Sequence, residues 1–149
     1  MLPLAMTTSL VLLLGCASVH ILSLQGLLSV HSSVEREHVS DQLRSAAQAF
    51  ISAAMSGRAC LLLTPSAAWD LPQLDCPDAE PERLRSGRVG DQSWHLLDWQ
   101  PRENSGVLRL ALTDGPSGIF RVQLDSEVPR VLALSDPQLQ GRHVSVALS

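Results

Sequence analysis

The sequence predicts an α+β protein: a long N-terminal α-helix, apolar in its first half and amphipathic in its second, packed on a small antiparallel β-sheet head. Three observations predict it. The first charged side chain is Glu35, so one end of the chain is an uncharged, largely apolar run. From Val39 to Ala54 apolar residues recur at helical spacing. Further on, apolar and polar residues alternate with the period of half-buried strands. The expected division is a helical part over 1–56 and a β-rich head over 57–149, with a loop over 60–76 leading into it.

Pro3 sits where a first helical turn tolerates it. From Leu4 to Val34 nothing forces a break. Gly15 and Gly26 are eleven positions apart, almost three full turns, so a helix places them on one side. Ser18, Ser29 and Ser33 fall near that side. Gly15, Ser18, Gly26 and Ser29 form the core of a small-residue stripe along which another helix can approach closely.

Val39, Leu43, Ala46, Ala47, Phe50 and Ala54 continue with an apolar stripe, while Arg36, Asp41, Arg44, Ser45 and Gln48 lie off it. Good helix formers fill "DQLRSAAQAFISAAM", and Gly57 is a natural stop. One continuous helix from about Leu4 to about Met55 is therefore expected. Its first half would sit in lipid or among other helices.

The apolar run admits three fates. A cleaved secretory signal needs a basic leading region and a short apolar core; this run has no basic residue and is too long. A lipoprotein would use Leu13-Leu14-Gly15-Cys16 as an attachment box, with Cys16 carrying the lipid. The chain after Cys16 continues as "ASVHILSLQGLLSV" rather than turning polar. That continuation favours the third fate, a helix that is kept as anchor and packing element.

In the head, "CLLLTPSAAWDLPQLDCPDAEPERLRSGRVGDQ" reads as irregular loops and turns, because it holds four prolines. Cys60 and Cys76 lie within it. In an oxidising compartment they would close a loop worth roughly 3 kcal/mol by the loop-entropy model; otherwise they are two free thiols. Strands follow. "SWHLLDW" is the first expected. Leu108, Leu110 and Leu112 then alternate with Arg109, Ala111 and Thr113, and Phe120, Val122 and Leu124 alternate with Arg121 and Gln123. Leu132 and Leu134 flank Ala133, and Val144, Val146 and Leu148 end the chain. "TDGPSG" is a hairpin signal, "DSEVP" a second turn and "SDPQLQGR" a longer third. The apolar stripe from Val39 to Ala54 is the natural cover for the sheet.

Chemistry is thin. A net charge of −4, with eleven arginines and no lysine, argues against a nucleic-acid binder. His20, His31, His38, His95 and His143 show no metal-ligand spacing. Asp70, Asp75, Asp78, Glu80 and Glu82 form an acidic stretch whose prolines do not match a calcium loop, so a solvated loop is expected. Trp69, Trp94 and Trp99 suit either a contact surface or the core. Arg36 between Glu35 and Glu37 would solvate the edge of the membrane or pair with neighbours. No phosphate loop, nucleophile elbow or catalytic constellation is present. The expectation is no enzyme, no cofactor, no metal and no small-molecule substrate.

"LPLAMTTSLVLLLG" followed by "VEREHVSDQLRSAAQAFISAAMSGR" resembles the type IV pilin and pseudopilin superfamily, and its minor members in particular. The likeness covers about the first 55 residues. It implies a structural subunit of a type IV pilus, type II secretion or DNA-uptake assembly. Such a subunit is held in the bacterial inner membrane by a single-pass helix, with other pilin-like subunits and membrane lipid as its partners. Two features depart from the family. The family's basic leader with a glycine cut site is not seen before Met1, so either translation starts upstream, or the chain corresponds to the processed form, or it is not processed; and "MLPLAMTT" lacks the glutamate often found near the fifth mature position. The second departure is similar to what initiating or tip subunits show. A lipoprotein or single-span anchored β-domain that binds a partner is the alternative.

Overall fold

The structure, a computed structural model, describes residues 30, 33–71, 76, 80–113, 115–125, 127–128 and 130–142. Two compact units divide the chain, Met1–His38 and Val39–Ser149. In the first unit the described residues are helical, Val30 and Val34 are exposed, and Ser33 Oγ donates to Val30 O at 2.8 Å.

Helix α1 covers 33–55. This corrects the expectation of one helix from Leu4 to Met55. Among the described residues no helix is long and apolar enough to cross a membrane. The physical reason lies in α1 itself. Glu35, Arg36, Glu37, Asp41 and Arg44 interrupt its apolar positions, which occupy one face only. The single-pass inner-membrane location, the signal-anchor and the pilus and secretion labels that leaned on a spanning helix are corrected with it. Gly15, Cys16, Ser18, Gly26 and Ser29, to which helix packing and lipid attachment were assigned, lie outside the described residues.

In the second unit, Leu43, Ala46, Ala47, Phe50 and Ala54 of α1 are all fully buried. Their i, i+3, i+4, i+7, i+11 spacing puts them on one stripe. The stripe ends where Gly57 adopts a left-handed backbone, φ 92°, which a side chain disfavours. Arg58 closes the last turn. Its backbone N–H donates to Ala54 O at 2.9 Å and its Nη1 to Ala53 O at 3.2 Å, satisfying carbonyls that the helix leaves without partners.

The sheet is antiparallel, six-stranded and curled into a half-barrel. Its strands are β1 (Ser86–Val89), β2 (Gln92–Arg102), β3 (Ser105–Leu112), β4 (Pro116–Leu124), β5 (Val131–Leu134) and β6 (Gln138–Arg142). The order is β1-β2-β3-β4-β5, and β6 also pairs with β4. β5 takes the C-terminal half of β4 and β6 the N-terminal half. "SDPQLQGR" therefore carries a strand where a turn was expected, and the expected strand at Val144–Leu148 lies outside the described residues. β1 and the one-turn helix α2 (Glu82–Arg85) arise in the stretch expected to be irregular.

The inner face of the sheet carries Trp94, Trp99, Leu108, Leu110, Leu112, Phe120, Val122 and Leu124, all buried. Phe50 of α1 sits between two indoles, 6.4 Å from Trp94 and 6.1 Å from Trp99 by ring centroids. Leu43 lies over Gly118, where an added Cβ would stand 3.1 Å from its Cδ1.

Candidate functional site

Two features of the second unit are built rather than incidental: a tryptophan clamp that fixes the segment after α1, and a groove at one end of the sheet that this segment helps to line. The clamp begins with a parity problem. Trp94 and Trp99 are five positions apart in one strand, so a regular strand would place them on opposite faces. The register of β2 on β3 shifts between Leu96 and Asp98, where Leu97 is the extra residue of a β-bulge. The bulge turns both indoles inward.

A bulge leaves part of the ladder unpaired, and Ser66 meets the gap. Its Oγ accepts the Trp99 backbone N–H at 2.9 Å and donates to Asp98 Oδ1 at 3.2 Å. Ser66 begins the short 3-10 turn Ser66–Ala68 that follows another, Ala59–Leu63. Trp99 Nε1 donates to Leu62 O at 3.0 Å, and Trp69 Nε1 reaches Leu61 O and Thr64 O, each at 3.0 Å. Two buried indoles thus satisfy backbone carbonyls in a segment with no ladder of its own. Cys60 and Cys76 are joined by a disulfide, Cα–Cα 5.9 Å, which closes the loop around this clamp.

Glycine makes room for the indoles. Gly87 of β1 is opposite Trp94, and a Cβ there would stand 2.6 Å from its ring. At Gly106 of β3 a Cβ would stand 2.1 Å from Trp99 Cη2. Either contact is impossible without movement.

Leu63, the end of the first 3-10 turn, projects outward beside the turns of the sheet and is 62% exposed. With Pro101, Arg102, Glu103, Leu124, Asp125, Glu127 and Val128 it lines an open groove of about 520 Å³. Arg102 pairs with Ser105, so Glu103 and Asn104 form a two-residue hairpin turn. The Leu124 N–H donates to Asn104 O at 3.1 Å and holds that turn against the end of β4. In the next turn, Asp125 N–H donates to Arg130 O at 2.8 Å and Asp125 Oδ1 accepts the Glu127 N–H at 3.0 Å. These bonds present Val128, 58% exposed, to the groove.

The residues singled out from the sequence lie elsewhere. All three tryptophans are core, at 2%, 3% and 0% exposure for Trp69, Trp94 and Trp99. His95 is exposed on β2, and His20, His31 and His143 lie outside the described residues. The acidic stretch is paired with arginine: Asp70 with Arg85 at 2.5 Å, Glu82 with Arg85 at 3.4 Å, and Glu80 with Arg83 and, at 3.8 Å, Arg58. Asp75 and Asp78 lie outside. Among the described residues no group of three His, Cys, Asp or Glu side chains is placed to hold a metal ion.

Sequence reasoning missed the groove and Ser66. The bulge had a signal in the odd spacing of Trp94 and Trp99. The groove had only a faint one, an apolar Val128 stranded in the polar turn "DSEVP". No protein-family model, curated protein or solved structure matches the chain, so the likeness to pilins stands on the residues quoted for it alone.

Proposed function

We propose that the chain is a structural subunit that acts through protein–protein contact and carries out no reaction of its own. This is the role that the minor-pilin and pseudopilin resemblance implies, with a membrane-spanning helix set aside. The observation that supports it is the order of the second unit: an amphipathic helix, a clamped loop, then a meander that wraps the apolar face of that helix. The fold spends its large side chains and its buried hydrogen bonds on rigidity. Its open features are turns and a groove, the parts a rigid scaffold presents for recognition.

Photo-crosslinking in the source cells tests this. A benzophenone amino acid replaces Leu132, which is 53% exposed on β5, or Arg121, exposed on β4. The expected result is a covalent adduct with another chain that has the same helix-then-meander order. Absence of any adduct from both positions, with the protein present at normal level, would refute the reading.

A further inference from the structure

We propose that the groove at the turn end of the sheet takes an extended segment of a partner protein that presents one apolar side chain flanked by arginine or lysine. The proposal rests on the contact-forming reading above and names what one contact recognises.

The apolar half of the argument is exposure. The core clears Leu61 and Leu62 from water completely, yet leaves the next residue, Leu63, 62% exposed. Val128 is 58% exposed across the same groove, and Pro101 and Leu124 lie between, with Leu124 buried to 5%. Four apolar residues thus line a seat for an apolar side chain within an open groove of about 520 Å³, which leaves room for the flanking residues of an extended segment.

The charged half is pairing. Elsewhere in the second unit five acids meet arginines: Asp41 and Asp136 share Arg44, Asp70 and Glu82 share Arg85, and Glu80 takes Arg58 and Arg83, while Asp98 accepts from Ser66 Oγ and Gln100 Nε2 and Asp91 stands in no salt bridge among the described residues. The groove is different. Glu103, Asp125 and Glu127 line it, and among the described residues none of the three is in a salt bridge. Asp125 is engaged through one oxygen with the Glu127 N–H, which leaves the other oxygen free to accept. Arg102 is the cation of the lining, so three carboxylates outnumber it. A cationic residue on each side of an apolar anchor answers this pattern: the anchor enters between Leu63 and Val128, and the cations meet the rim. Such rim charges act chiefly on encounter rate and partner choice.

The test uses the full, disulfide-bonded chain and three blocked pentapeptides, Gly-Arg-Leu-Arg-Gly, Gly-Arg-Gly-Arg-Gly and Gly-Glu-Leu-Glu-Gly, followed by amide chemical shifts. The first peptide is expected to move the signals of Leu63, Arg102, Glu103, Asp125 and Val128. The second, without its anchor, should bind at least threefold more weakly, and the third should leave these signals unmoved. Glu103→Gln and Glu127→Gln, both exposed, should each weaken the first peptide about two- to fivefold, and raising salt from ~50 to ~300 mM should weaken it further. Val128→Ser should do the same with the fold unchanged. Equal shifts from the Glu peptide, or none in the groove at millimolar peptide, overturn the proposal. The two readings separate in cells. If crosslinks form in the unaltered chain and persist in the Glu103→Gln/Glu127→Gln/Val128→Ser variant, the groove falls and the subunit reading stands. If the unaltered chain gives none, the subunit reading falls, and the peptide shifts alone decide the groove.

Discussion

Gly106→Ala should destabilise the second unit by about 2–4 kcal/mol, a large effect for one methyl group in a strand. The backbone at Gly106 is not left-handed, so alanine meets no conformational penalty. The cost comes from Trp99. A Cβ at 106 would stand 2.1 Å from Cη2 and 2.7 Å from both Cζ2 and Cζ3. Trp99 has nowhere to go. It is fully buried, Phe50 stands over it at 6.1 Å, and its Nε1 is held by Leu62 O at 3.0 Å. Overpacking a core by one carbon costs about 1–3 kcal/mol, and a displaced indole forfeits a buried hydrogen bond worth about 1 kcal/mol more. Urea unfolding of the oxidised chain, followed by circular dichroism, reads the change as a shift in midpoint with the slope preserved. A double-mutant cycle tests the cause. Trp99→Phe removes the atoms that clash, so Gly106→Ala in that background should cost at least about 1 kcal/mol less. A stability for Gly106→Ala within about 0.5 kcal/mol of the parent, or a cycle with no coupling, would show that the indole does not fill the space above this glycine.

Four further outcomes are expected. Reducing Cys60–Cys76, sixteen positions apart, should lower stability by roughly 3 kcal/mol in the same urea experiment. Ser66→Ala strands the Trp99 backbone N–H at the bulge and should cost about 1–3 kcal/mol, while Ser66→Thr, which keeps the hydroxyl, should recover part of it. Phe50→Ala empties the space between two indoles and should cost about 3–5 kcal/mol by thermal or urea unfolding. Arg44→Ala removes surface contacts to Asp41 and Asp136 and should cost under about 1 kcal/mol, a difference that shrinks in high salt.

The parts of the fold that the sequence announces are those where one period governs a long run. Leu43, Ala46, Ala47, Phe50 and Ala54 keep helical spacing, and Leu108, Leu110, Leu112, Phe120, Val122 and Leu124 keep a strict alternation; these residues are buried where that patterning puts them, whereas Ala111, expected on the outer face, is buried as well. The departures arise where two patterns meet. Glu35, Arg36 and Glu37, expected to mark the membrane edge of one continuous rod, instead give the start of α1 a charged surface. β1 escaped notice because "SGRV" has neither alternation nor an apolar face; its place depends on the indole of Trp94 lying over Gly87. β6 escaped because Pro137 and Gly141 mimic a turn. The groove was the least legible feature of all. Leu63, Glu103 and Val128 come from three separate connections, and only the closure of β2 on β3 and of β4 on β5 brings them to one rim.

The tryptophan arrangement also makes the chain its own spectroscopic reporter. It has three tryptophans and no tyrosine, so indole emission is uncontaminated by phenol. Two of those indoles enclose Phe50 of the helix, and the third caps the disulfide loop. Lifting the helix off the sheet would wet Trp94 and Trp99, whereas loosening the loop would first expose Trp69. A red shift resolved by single replacement of each fluorophore would therefore tell undocking from loop opening without any added label.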